Sequence, residues 1–189
     1  MLSSNFENKK IIVITGPSGS GKTSVAEYLN QKFQIPKIIT HTTRAPRAHE
    51  QDGIDYYFEN NDSFDKLHFL ESVDYAGSRY GSSIEALERI FENNDIASIV
   101  IDTVGAVTYQ QALPEQTEIA FITVSTPELL SQRLVERGDD PKEIKERTIS
   151  DVFTRDMKLP DAIKDVAHVI NNDDWQKAQE QIDNLVESL

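Results

Sequence analysis

The 189-residue chain contains no cysteine, which excludes disulfides and thiolate metal sites and fits a reducing compartment. Its four histidines, His41, His49, His68 and His168, show no metal-ligand spacing and read as ordinary surface or packing residues. Positive charge is scarce, with 19 Lys and Arg against 32 Asp and Glu for a net charge of −13. Such a chain repels nucleic acid and anionic membrane in the mean, so neither is an expected partner. An anion site on it must therefore concentrate positive charge locally. Long hydrophobic runs are missing too. The first apolar run, residues 11–14, is far too short to cross a bilayer, and MLSSNFENKK ahead of it holds no apolar signal core. A cytoplasmic protein is expected. No internal repeat or low-complexity stretch is visible. The length suits one core carrying insertions and is enough to bury that core without staples.

What is present alternates between strand and helix. Residues 11–15 are a β-branched run ending at Gly16 and predict a buried parallel strand. A helix begins at Lys22 with Val25, Ala26, Leu29 and Phe33 on one face, and Pro36 is expected to end it. KIIT at 37–40 reads as a second strand. Residues 41–83 are polar and broken by Pro46, Gly53, Gly77 and Gly81, with short pieces such as DYYF at 55–58, and predict an inserted, mostly β subdomain. Ser82 and Glu85 have capping-box spacing for a helix to about Asn93. ASIVI at 97–101 and IAFITV at 119–124 predict two further buried strands. Pro127 starts a helix that stops at Gly138, residues 141–157 read as helical and charged, and 168–171 as a last strand. The C-terminal helix places Trp175, Ala178, Ile182, Leu185 and Val186 on one stripe. The pattern is that of a doubly wound α/β core with a parallel sheet flanked by helices.

Residues 16–23 read GPSGSGKT. Between a strand and a helix, G-x-x-x-x-G-K-[ST] is a P-loop. Gly16, Pro17, Ser18, Gly19, Ser20 and Gly21 let backbone N–H groups face a β-phosphate, and the following helix aims its positive end at the same anion. Lys22 reaches the β- and γ-oxygens, and Thr23 offers a hydroxyl to the Mg²⁺ that accompanies ATP. This motif identifies the donor side and leaves the acceptor open.

The inserted subdomain carries THTTRAPR at 40–47. Arg44 and Arg47 are two fixed cations in an acidic chain, suited to a phosphomonoester. Tyr56 and Tyr80 can complete a phosphate cage or carry a base. Glu71, set among apolar neighbours in HFLES, wants hydrogen-bond donors. Singly, these residues also fit solvated loop charges, an aromatic filler, a strand-edge acid and, for Ser82, a plain helix cap. Jointly, behind a P-loop, they fit an acceptor site better.

The chain resembles the guanylate kinases over residues 11–175. GPSGSGKT, THTTRAPR, E-x-x-G-x-D-Y-x-F from Glu50 to Phe58, FLE at 69–71, YGSS at 80–83, RL-x-x-RG at 133–138 and NDDW at 172–175 fall in that family's order. The spacing agrees except between Arg137 and Arg147, which is about one residue short. The resemblance implies a P-loop NTPase-type core (1–40, 84–125 and 158–189), a GMP-binding insertion (41–83) and a helical lid (126–157). Arg44, Arg47, Tyr56 and Tyr80 would hold the phosphate of GMP, with Glu71, Ser82 and Asp102 around the guanine and Thr40 near its O6 side. Arg133, Arg137 and Arg147 would close over the moving phosphoryl group, and Asn172 would contact the adenine of ATP. Thr23 would hold Mg²⁺, with Asp102 reaching the ion through water. The implied reaction, in purine nucleotide metabolism, is ATP plus GMP giving ADP and GDP.

The chain departs from the family at several points. The strand before Asp102 ends in Val100 where an acid is usual, and Val104 replaces a usual Gln. Thr40 stands where Ser is common, and Asp151 and Thr154 replace an Ala and a Glu downstream of Arg147. These changes touch rate, Mg²⁺ handling and acceptor identity. Two alternatives stand beside a guanylate kinase: a nucleotide- or phosphoprotein-binding module of weak activity, and a small kinase with another acceptor.

Overall fold

Past its first residue, β1 (Lys10–Thr15) is wholly buried, as expected for a β-branched strand covered on both faces. It pairs in parallel with β6 (Ile96–Val100) on one side and β7 (Thr117–Thr123) on the other, and β8 (Ala167–Asn171) extends the sheet to the order β6-β1-β7-β8. In this computed structural model residues 6–47, 50–75, 77–136, 138 and 140–189 are described.

Alternate residues of β1 point to opposite faces, and each face has its own core. Ile11 and Val13 pack with α3 (Ile84–Phe91) and α4 (Thr103–Ala112) through Ala86, Leu87, Phe91, Ala106 and Tyr109. Ile12 and Ile14 pack with α1 (Lys22–Phe33) and α8 (Trp175–Glu187) through Val25, Leu29, Ala178 and Ile182. On the expected C-terminal stripe, Ala178, Ile182 and Leu185 are buried, whereas Trp175 stays 37% exposed. The layered α/β architecture is the one the alternation predicts. Among the described residues no helix is long and apolar enough to cross a membrane.

A second sheet, ordered β3-β2-β5-β4, occupies the inserted region. It comprises β2 (His41–Thr42), β3 (Tyr57–Phe58), β4 (Phe69–Tyr75) and β5 (Ser78–Ser83), with the short α2 (Asn61–Phe64) between β3 and β4. β4 and β5 form an antiparallel hairpin with an irregularity between Phe69 and Glu71, and β2 pairs antiparallel with β5 and parallel with β3. Among the described residues, α5 (Pro127–Glu136), α6 (Pro141–Thr148) and α7 (Asp151–Asp156) lie between β7 and β8.

The local expectations need four corrections. The strand at 37–40 shrinks to a single bridge from Lys37 to Ser98, and the pairing resumes at His41 in the other sheet. α1 ends before Pro36, because Gln34 turns left-handed (φ 59°) and gives its N–H to the carbonyls of Asn30 and Leu29. The cap of α3 is Ser83, whose hydroxyl accepts from Ala86 N; Ser82 remains in the strand, and Glu85 binds His68. Residues 141–157 form two helices, since Ser150 ends one and caps the next by accepting from Phe153 N.

Candidate active site

β1 delivers the chain into the P-loop beside β7. Gly16 there has φ +131°, and a Cβ on it would lie 2.2 Å from the Ile122 carbonyl oxygen. Gly21, at φ +99° before α1, leaves its missing Cβ position to Asn172 Nδ2, 2.3 Å away. Glycine is therefore required at both ends of the loop. Asn172 Nδ2 donates to Ser20 O at 2.7 Å, and Asn172 O accepts from Arg133 Nη2 at 2.7 Å. The Asn172 side chain thus braces the loop, and Asn172 also borders a cleft of about 430 Å³ with Gly21, Tyr28, Gln31, Arg133 and Trp175.

Lys22 Nζ folds back onto the carbonyls of Gly16 and Pro17 at 2.8 and 2.9 Å. Arg133 Nη1, Ser20 Oγ and Asn172 Oδ1 are buried without a hydrogen-bond partner. Buried donors rarely stay unpaired, and an anion on the loop would satisfy those of Arg133 and Ser20. Thr23, in the first turn of α1, is exposed. Among the described residues no group of three or more His, Cys, Asp or Glu could hold a metal ion. A Mg²⁺ arriving with a triphosphate needs few protein oxygens, and the exposed Thr23 hydroxyl would be one open to it.

The second sheet carries the arginine corner. Arg44 Nη2 donates to Glu50 Oε1 at 2.8 Å and Nη1 to Ala45 O at 2.8 Å, while its guanidinium lies 5.6 Å from the Tyr56 ring centre. Glu50 Oε2 accepts from Arg47 N at 2.8 Å, and Arg47 Nη1 lies 3.8 Å from Glu50 Oε1. Burial pushes the Glu50 carboxyl up, but bonds from Arg44 and Arg47 outweigh that and hold it below the usual range. Tyr56 and Tyr80 meet edge-to-face at 6.1 Å, and burial raises the Tyr56 phenol. Glu50 organises both arginines and was not singled out as a site residue; its spacing three residues after Arg47 was the available signal. Thr40, half-buried just before β2, accepts from Tyr57 N through its carbonyl.

Glu71 faces across the hairpin. Its Oε1 accepts from Ser82 N at 3.1 Å, and the Ser82 hydroxyl accepts from the buried Tyr109 hydroxyl at 2.9 Å. Asp102 caps α4, with Oδ1 accepting from Gly105 N at 2.7 Å and Oδ2 from Arg155 Nη2 at 2.7 Å. A Cβ on Gly105 would sit 3.3 Å from both Asp102 Oδ1 and Glu71 Oε2, so the two carboxylates converge above the first turn of α4. Tyr109 and Arg155, the partners of Ser82 and Asp102, are neighbours that sequence reasoning missed. Of the arginines expected in a lid, Arg137 lies outside the described residues, and Arg147 is described only as part of α6. Val100 ends β6 half-buried against the Ile12 and Ile14 core, and Val104 is exposed in the first turn of α4.

Burial pushes the Glu71 carboxyl up to about 7, and the nearby Asp102 charge adds to this, while bonds from Ser82 oppose it. Its ordinary value is 4.5, so between the two values the folded protein binds more protons than the unfolded chain. The free protein should therefore lose stability as pH rises through about 7. Melting temperatures taken from pH 5.5 to 8.5 check this: the loss should be smaller in Glu71→Gln, and equal slopes for the two proteins would show that Glu71 ionises normally.

A P-loop on a parallel sheet, with a second sheet inserted between α1 and α3 beside the Arg44 and Arg47 pair, is the plan of the P-loop nucleoside monophosphate kinases. Within them, the chain belongs to the guanylate kinase family, whose family model, described as Guanylate kinase, matches residues 8–189. It is 32% identical to a guanylate kinase of Chlamydia caviae over 93% of this chain and 86% of that protein. A guanylate kinase of Thiobacillus denitrificans is 33% identical over 95% of this chain and 86% of its own. The crystal structure of guanylate kinase from Anaplasma phagocytophilum shares the fold with a TM-score of 0.68 at 24% identity, covering 95% of this chain and 85% of that one.

Proposed function

We propose that the chain transfers the γ-phosphoryl group of ATP to GMP, giving ADP and GDP. The observation that carries this reading is the Glu71 carboxylate, with Oε1 on Ser82 N and Oε2 beside Asp102 Oδ1 at Gly105. Guanine presents N1–H and N2–H side by side as donors, and a carboxylate can accept both. Residues 41–83 would form the acceptor-binding insertion, with Thr40 near O6, Arg44, Arg47, Tyr56 and Tyr80 on the phosphate, and Glu71, Ser82 and Asp102 around the base. Residues 126–157 would form the lid.

In the donor half, the backbone of residues 16–21 would cradle the β-phosphate of ATP, and Lys22 would leave the carbonyls of Gly16 and Pro17 for the β- and γ-oxygens. Arg133 is held by Nη2 on Asn172 O, which leaves the buried Nη1 for the moving phosphoryl group. Arg137 and Arg147 would add charge as the lid closes. Thr23 would hold the Mg²⁺ that accompanies ATP, and the ion would supply charge neutralisation on the triphosphate. Asp102 has both oxygens bonded within the protein, which supports a role at the base in preference to the ion. Phosphoryl transfer asks mainly for positioning and charge stabilisation, and closure excludes the water that would hydrolyse ATP.

An ADP-release assay with ATP, Mg²⁺ and GMP, dGMP, AMP, UMP or a ribose phosphate tests this. GMP should be the preferred acceptor. Ligand binding without turnover on any acceptor would instead indicate a binding module, and preference for a non-purine acceptor a different kinase.

A further inference from the structure

We infer that Arg155 is a positioning residue for acceptor-base selectivity, acting by holding the Asp102 carboxylate at the amine edge of the base. This rests on the GMP reading above. Arg155 lies in α7, 53 residues from Asp102, and its guanidinium joins two carboxylates. Nη2 donates to Asp102 Oδ2 at 2.7 Å and lies 2.9 Å from Asp156 Oδ1, to which Nε donates at 2.9 Å. Asp156 is itself 7% exposed and accepts from the Thr103 hydroxyl at 2.5 Å. The arginine is therefore anchored on a buried acid before it reaches Asp102.

The two bonds to Asp102 have different consequences. Gly105 N fixes Oδ1 as part of the helix cap, and that bond alone leaves the carboxylate free to turn about its last torsion. Arg155 fixes Oδ2 and so sets the plane of the group relative to Glu71. The pair is partly solvated, with side chains 34% and 18% exposed, so it adds little to folding. Geometry is where it matters, because each bonded oxygen keeps a lone pair for a further donor. Guanine differs from hypoxanthine only in its 2-amine, the group Asp102 would receive. Misplacing Asp102 should then harm GMP and leave IMP nearly untouched.

The test is kcat/KM for GMP and IMP with the wild type, Arg155→Met and Arg155→Lys, alongside thermal melting. Arg155→Met should lower the GMP-to-IMP ratio about tenfold, mainly through KM for GMP, with IMP constants within about twofold. Arg155→Lys should fall between, since one ammonium cannot bridge both acids with the planar fork. In an Asp102→Asn background Arg155→Met should leave the ratio unchanged. If Arg155→Met fails to fold, the same selective loss in Arg155→Lys decides the question. Equal losses on GMP and IMP, or no change on GMP, would overturn the inference. A wild type that ignores GMP while using another acceptor would overturn the functional reading itself.

Discussion

Replacing Lys22 by alanine is expected to lower kcat on the order of a thousandfold while leaving the fold intact, a loss typical of removing charge aimed at a transition state. The side chain contributes to neither hydrophobic core. In the free protein it rests on the carbonyls of Gly16 and Pro17, groups that water can serve instead. Its loss is felt when negative charge moves across the β- and γ-oxygens. The loop keeps its shape through Gly16, Gly21 and the Asn172 brace on Ser20 O. An ADP-release assay with a parallel melting curve measures both effects. Near wild-type turnover in the variant would remove the P-loop from the chemistry.

Glu71→Gln should reduce kcat/KM for GMP by about two orders of magnitude and narrow the gap to AMP. Hydrogen bonds to a charged group contribute roughly 1.5–3 kcal/mol each, and ~1.4 kcal/mol is tenfold. Glutamine turns one acceptor into a donor facing guanine's own donors. Adenine offers a bare N1 and no 2-amine, so in the wild type it would leave the half-buried carboxylate with Ser82 N alone in place of guanine's two donors. Ser82 N can still donate to the glutamine oxygen, so the hairpin should persist. Rates for GMP, dGMP, AMP and UMP on both proteins decide the matter. A wild type that uses AMP and GMP equally, or a variant indistinguishable from it, would take Glu71 out of the base pocket.

The P-loop and the parallel core were legible because their signals are local. Glycines at fixed offsets and a β-branched run declare themselves within a dozen residues. The cap of α3 was misread by one residue for a definite reason. Ser82 and Ser83 are both good caps, and only the register of β5 against β4 turns Ser82 to Tyr109 and Ser83 to His41. The strand at 37–40 was overread because its β propensity says nothing of where Ile38 N finds its partner, the carbonyl of Ser98. Arg155 was invisible for a third reason. A lone arginine in a charged helix reads as solvated, and its worth comes from Asp102 and from the bond between Asp156 and Thr103, groups joined only by the tertiary fold. The pairing of Arg44 and Arg47 was clear from sequence, whereas the buried acid that arranges them, Glu50, was not.

Trp175 is the only tryptophan in the chain. It stands edge-on to Tyr28 at a centre distance of 5.7 Å, on the wall of the cleft beside the P-loop. The inserted sheet contains tyrosines but no tryptophan. The two sheets are thus optically unequal: indole emission excited at the red edge of the band arises wholly beside the P-loop, and the inserted sheet is dark. Quenching or shifting of that single emitter on nucleotide addition would time nucleotide arrival at that cleft without a label, in the unmodified protein.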